Sequence, residues 1–176
     1  ITFIISQRKN IPAIKSCVEK LCRAAGSFIG EYDGDEIYAF PTLPQLVELS
    51  CEKCGRAFCS YHQAGIDSCS LGYRMPYIQE TISRLVMNPE LMDYLSGLDD
   101  DTLYKELLGF KGVGKKVANC TALFGFHRLD FFPIDVWIKR VIDEKYGGTF
   151  DDRRYSPYAG VIQQYMFYYG RSGKAV

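Results

Sequence analysis

The sequence predicts an all-α fold. Apolar residues recur at three- and four-residue spacing along most of its 176 residues, glycines and prolines fall between these runs, and no clean alternation of strand length appears. Ile37-Tyr38-Ala39-Phe40 is the ambiguous stretch. A hydrophobic content of 47% over this length is enough to bury one sizeable core, so residues 1–176 read as a single domain. A charged fraction of 24% without low-complexity tracts excludes disorder. No apolar run approaches the roughly 18 residues that a membrane span needs.

The helices follow one another from the amino end. Ile11, Ile14, Val18, Leu21 and Ala25 form an amphipathic face, with Pro12 tolerated in the first turn and Gly26 stopping the segment. Thr42 followed by Gln45 is a capping-box pattern opening a helix with Leu46, Val47 and Leu49. The same spacing returns in Tyr77, Ile78, Thr81, Ile82 and Leu85, in Leu91, Met92 and Leu95 after Pro89, and in Leu103, Leu107 and Leu108 after Asp99-Asp100-Asp101. A last helix is read in Ser156 to Phe167. Small, polar and cysteine residues from Cys51 to Ser70 interrupt the rhythm as an inserted loop would.

Twenty-one basic and twenty-one acidic residues cancel, which excludes the bulk positive charge of a generic nucleic-acid binder and leaves only local contacts. Seven cysteines without a secretion signal suit a reducing cytoplasm better than a disulfide framework. The opening Ile1-Thr2-Phe3-Ile4-Ile5 has neither Met nor a basic flank, so it reads as a cut into a longer protein.

The most informative segment runs from Leu107 to Cys120. A leucine helix enters a turn with Gly112 and Gly114 separated by Val113, and a second helix starts at once: a helix-hairpin-helix signature, near 103–124. The glycines let the backbone turn sharply and approach a ligand, and the new helix offers unpaired N–H groups and a positive dipole end to a phosphate. Val113 is expected to plug the gap between the two helices. Lys116 follows the turn, and nineteen residues further on Asp135 stands after Pro133, placed to cap a new helix. Taken singly, Lys116 reads as a solvated helix lysine and Asp135 as an ordinary N-cap. Together with the hairpin they pair an amine with a carboxylate.

These motifs resemble the helix-hairpin-helix DNA glycosylases. The resemblance implies that Gly112, Val113, Gly114 and Lys115 grip the DNA backbone, that Lys116 forms a Schiff base with the sugar, and that Asp135 assists it. An amine must shed a proton before it attacks C1′, and burial of Lys116 beside Lys115 is expected to favour that. Asp135 would steady the developing oxocarbenium charge or relay a proton.

Two further pairs sit at helical i, i+4 spacing: Lys116 with Cys120, and Gln163 with Phe167. Core packing is the plain reading of each, yet an amide can read a base edge and an aromatic can stack on its face. Cys120 and the Pro157-Tyr158-Ala159-Gly160 helix resemble the 8-oxoguanine DNA glycosylases in particular. This implies that Cys120 and Phe167 sandwich the oxidised base, Gln163 reads its edge, Tyr73 wedges into the duplex and Arg74 faces the orphaned base. Gln7-Arg8-Lys9-Asn10 stands where eukaryotic members carry an Asn-rich turn and Ala13 where they carry Arg, with Arg8, Lys9 and Asn10 expected to touch DNA. Lys111 replaces the usual hairpin proline and Trp137, also expected at the DNA, a histidine.

The reaction implied is removal of 8-oxoguanine from duplex DNA, with nicking by β-elimination, by a monomer in a bacterial cytoplasm whose β-rich amino-terminal domain is absent from this sequence. Alternatives are a superfamily glycosylase for another oxidised base, a non-catalytic hairpin module and a protein-interaction domain. No redox or nucleotide cofactor is implied. A sodium or potassium ion on backbone carbonyls near Phe110 to Val113 is. Cys51, Cys54, Cys59, His62 and Cys69 have spacing that could hold zinc, but without a clean pair of Cys-x-x-Cys units free thiols in a variable loop is the preferred reading. No Cys follows the last helix, where an iron-sulfur cluster would sit.

Overall fold

Asn10 accepts a hydrogen bond from the Ala13 N–H at 2.9 Å and so starts the first long helix, as an N-cap side chain does when it satisfies a donor that the helix cannot. In the computed structural model, which describes residues 1–49 and 69–172, residue contacts group the chain into two units. They are Ile1–Asp93 with Phe110–Gly112, and Tyr94–Gly109 with Val113–Val176.

The first unit holds a one-turn helix α1 (Thr2–Ile5), α2 (Ile11–Ala25), strands β1 (Phe28–Tyr32) and β2 (Asp35–Tyr38), α3 (Leu43–Glu48) and α4 (Met75–Met87). The expected end of α2 at Gly26 is found, and so is the capping box of α3: the Thr42 N–H donates to Gln45 Oε1 at 2.9 Å, and the Gln45 N–H to Thr42 Oγ1 at 3.5 Å. Ile4, Ile5, Leu21, Leu46, Leu71 and Ile78 are buried in this unit.

The all-α prediction holds except for the antiparallel pair β1–β2, in which Tyr32 faces Asp35 and Phe28 faces Tyr38. Asp33 and Gly34 make its two-residue turn, both at positive φ (54° and 82°), the conformation whose twist suits a hairpin. The strands escape a hydrophobicity test because neither face is buried: Phe28, Ile29 and Tyr32 are all exposed. The local signal was the Asp-Gly dipeptide.

The second unit holds α6 (Asp100–Leu108), α7 (Lys115–Gly125), α8 (Val136–Lys145) and α9 (Ala159–Ser172); α5 (Leu91–Gly97) precedes them. Asp99 caps α6 through Thr102, whose N–H and hydroxyl both donate to it and hold its carboxyl below the ordinary range. α6 packs on α7, and α8 packs on α9 around a core of Phe132, Ile138, Val141, Ile142, Ala159 and Met166. The last helix begins at Ala159 rather than Ser156, because a 3-10 turn over Asp152–Tyr155 and Pro157 occupy the approach.

No helix among the described residues is long and apolar enough to cross a membrane. Cys51, Cys54, Cys59 and His62 lie outside the described residues; Cys69 is buried, and no metal-ligand group of three or more occurs among those described.

Candidate active site

α7 opens on Gly114, which offers no side-chain cap, and turns Val117, Ala118, Cys120, Ala122 and Leu123 inward. Lys115 and Lys116 are left exposed at its start, so the expected burial of Lys116 is not found. The helix was amphipathic only from its third residue, and two consecutive lysines cannot both leave water without a partner for each. Val113, expected to fill the gap between the helices, is only half-buried.

One turn on from Lys116, the Cys120 thiol is 5% exposed. Burial pushes it above its ordinary pKa and the Asp135 carboxylate adds to the push, while the Lys116 ammonium, hydrogen-bonded to the sulfur, draws it down. Burial is the largest of these, so the sulfur is a neutral, polarisable contact surface at pH 7. The folded state holds this proton more tightly than the unfolded chain does, so its contribution to stability is lost as pH rises beyond the ordinary thiol range. Native-state alkylation of Cys120, followed by peptide mass spectrometry, is expected to lag that of the denatured chain and to accelerate only above pH 9.

Asp135 caps α8 as the sequence predicts. Its Oδ1 accepts from the Trp137 and Ile138 N–H groups, each at 2.9 Å. The cap uses one oxygen, and the carboxylate stays half-buried within electrostatic reach of Cys120. Trp137 is half-buried under the Arg140 guanidinium, 5.1 Å from its ring.

On α9, Gln163 is 3% exposed and its Nε2 donates to the Pro133 carbonyl at 2.8 Å, while Oε1 accepts from Gln164. The amide thus already binds protein through one N–H and one lone pair of Oε1, and its second N–H and the oxygen's second lone pair are uncommitted by these bonds. Phe167, one turn on, packs half-buried against the core of the unit. The start of α9 is held by the Gly160 N–H, which donates to the Leu129 carbonyl at 2.7 Å. A Cβ at this glycine would lie 2.4 Å from Leu123 Cδ1 and 2.7 Å from the Phe131 oxygen, one a movable side chain and the other backbone. Gly160→Ala is expected to cost about 1–3 kcal/mol in chemical denaturation, the usual range for overpacking, and to shift Gln163 with the helix.

In the first unit, Arg74 departs from expectation. It is 6% exposed, and instead of facing outward it donates Nε to the Gln7 carbonyl at 3.0 Å, a terminal nitrogen to the same oxygen and the other to Leu71 O at 3.3 Å. A buried guanidinium must satisfy its donors, and main-chain carbonyls do so here. Tyr73 is exposed, with the guanidinium 4.3 Å from its ring. Arg8 is exposed at φ 50°, Lys9 half-buried, and Asn10 spent on capping α2. Gly112 has φ 77°. Sequence reasoning passed over Gln7, whose Nε2 donates to the Gly112 carbonyl at 2.8 Å across 105 residues; no spacing rule signals such a bond.

A groove of about 500 Å³ lined by Leu123, Phe124, His127, Val161, Tyr165 and Tyr168 shares no residue with the Lys116, Cys120 and Asp135 group.

No family model matches the chain. It is 34% identical over 156 residues, covering 80% of this chain and 50% of the relative, to a protein of Methanothermobacter thermautotrophicus described as "Probable N-glycosylase/DNA lyase". Its structure is similar, with a TM-score of 0.78 and 29% identity over 98% of this chain and 58% of the other, to the Clostridium acetobutylicum 8-oxoguanine glycosylase/lyase in complex with double-stranded DNA containing cytosine opposite 8-oxoguanine. A 3-methyladenine DNA glycosylase from Archaeoglobus fulgidus, at 20% identity and a TM-score of 0.74 over 99% of this chain and 58% of its own, shares the fold alone. The chain spans about half the length, or less, of the curated relatives it matches. With helices leading into and out of a two-glycine turn, and with these likenesses in sequence and shape, the chain has the fold of the helix-hairpin-helix DNA glycosylases.

Proposed function

We propose that this chain carries the reacting groups of a DNA glycosylase/lyase that removes 8-oxoguanine from duplex DNA. The observation that carries the reading is that Lys116 and Cys120 stand one turn apart at the start of α7 and Asp135 caps α8, with both charges acting on the Cys120 thiol. An amine, a carboxylate and a soft neutral surface then share one place.

The neutral amine of Lys116 forms a bond to C1′ as the N-glycosidic bond breaks; the bonding pair leaves with the base, which takes up a proton. Asp135 steadies the positive charge that builds on the sugar while the two bonds are both long. Loss of a proton from nitrogen with opening of the sugar ring gives the Schiff base. Removal of a C2′ proton then breaks the C3′–O bond, which is the lyase step. Cys120 and Phe167 hold the flipped base between them, and Gln163 recognises it through its second N–H or by releasing Gln164. DNA contacts fall to Arg8, Lys9, Tyr73, Trp137 and the hairpin backbone, which suits a chain with no net charge to attract DNA at large. Arg74 holds the Gln7 turn through its main chain, and Asn10, exposed, spends its Oδ1 on the α2 cap and keeps its Nδ2 for the DNA.

The protein acts as a monomer, in the compartment that holds the DNA, and needs no redox or nucleotide cofactor. A sodium or potassium ion at the hairpin would rest on the carbonyls of Phe110, Lys111 or Val113, since that of Gly112 is engaged by Gln7.

Borohydride trapping tests the function. A covalent adduct is expected on a duplex carrying 8-oxoguanine and none on undamaged DNA. An adduct on an oxidised pyrimidine alone would move the lesion. Tight binding with no adduct on either would make the chain a DNA-binding module.

A further inference from the structure

Gln7 joins two segments far apart in sequence. Its carbonyl accepts from the buried Arg74 guanidinium, and from the Tyr73 hydroxyl at 3.5 Å, so the root of its side chain is fixed. From that root Nε2 reaches the Gly112 carbonyl. The hairpin turn is pressed from another side as well: at φ 77° Gly112 adopts a conformation that side chains rarely take, and a Cβ there would fall 2.3 Å from the Tyr77 ring.

Holding that carbonyl has a consequence for the next N–H. In a planar trans peptide the C=O and N–H point in opposite directions. With the Gly112 oxygen turned to Gln7, the Val113 N–H is aimed away from it. Val113 leads directly into Gly114 and α7, whose first backbone bond is Ala118 N–H to the Gly114 carbonyl at 2.9 Å. The donors ahead of it have no partner within the helix, and Gly114 supplies no side-chain cap. Such donors suit an anion, provided that the turn before them holds still.

We propose that Gln7 is a positioning residue for the hairpin's hold on DNA: by binding the Gly112 carbonyl it fixes the peptide whose Val113 N–H donates to a backbone phosphate. The proposal rests on the DNA-binding reading given above. It assigns a role to a residue that touches no base, sugar or phosphate itself.

A methylphosphonate scan of an undamaged duplex tests it, since replacing a phosphate oxygen by methyl removes one charge and one acceptor at a chosen place. With the wild-type protein at least one position should weaken binding about tenfold or more, the worth of a hydrogen bond to a charged group. Gln7→Met, of similar length but with no donor, should bind unmodified duplex about tenfold more weakly, and at one sensitive position the methylphosphonate should cost nothing further. A purely structural weakening would lower affinity while leaving every penalty in place. Gln7→Glu, the closest match in shape, is scanned in parallel should the Met variant not fold. Folded variants that keep every wild-type penalty would overturn the proposal. A wild-type protein insensitive at all positions would overturn the DNA grip itself, and the role of Gln7 with it.

Discussion

Lys116→Gln is expected to abolish the borohydride adduct and to slow base release at least about 10³-fold, because an amide nitrogen has no free lone pair with which to attack C1′. The fold should not notice. Lys116 lies exposed in the first turn of α7, glutamine and lysine have nearly equal helix propensity, and an exposed substitution of this kind usually stays within about 0.5 kcal/mol. A second readout follows from the electrostatics. The Lys116 ammonium draws the Cys120 thiol down against its burial, so its removal should push that thiol higher and move the onset of native-state alkylation to more alkaline pH. Base release at the wild-type rate in the variant would remove Lys116 from the chemistry.

Asp135→Asn separates two roles of one side chain. Asparagine keeps an oxygen where Oδ1 accepts from Trp137 and Ile138, and the two residues cap helices about equally well, so denaturation should be nearly unchanged. The negative charge is gone. Single-turnover base release is therefore expected to fall about 10²- to 10⁴-fold, the usual range for a lost acid–base or charge-stabilising group. Asp135→Ala should add to this a stability loss of about 1 kcal/mol from the missing cap. An Asn variant as fast as the wild type would reduce Asp135 to a helix cap.

What could be read in the sequence was whatever a helix writes within one or two turns. Pro12 and Gly26 bracket α2, Thr42 and Gln45 announce α3, and Asp135, next after Pro133-Ile134, has the place of a helix cap. Lys116 with Cys120 is of the same kind, since four residues along a helix fix a shared face. The unread features depend on partners that only tertiary structure supplies. Gln163 meets Pro133 across 30 residues and Gln7 meets Gly112 across 105, and neither separation has a period. The resemblance places Arg74 at the orphaned base, and its sequence neighbours say nothing about the carbonyls of Gln7 and Leu71 that take its donors. The β1–β2 pair escapes for the opposite reason: its signal is local, but it lies in the turn and not in hydrophobic alternation.

Arg74 grips an oxygen that every amino acid possesses. The turn from Ser6 to Lys9 is therefore secured by its main chain, and the Arg74 contacts do not depend on which side chains stand at positions 8 and 9. A library randomised at Lys9, and at Arg8 among residues that accept its φ of 50°, such as Asn, Asp or Gly, should keep the turn in place while it varies what the turn presents, so an anchor of this kind lets a binding loop change its chemistry without being rebuilt.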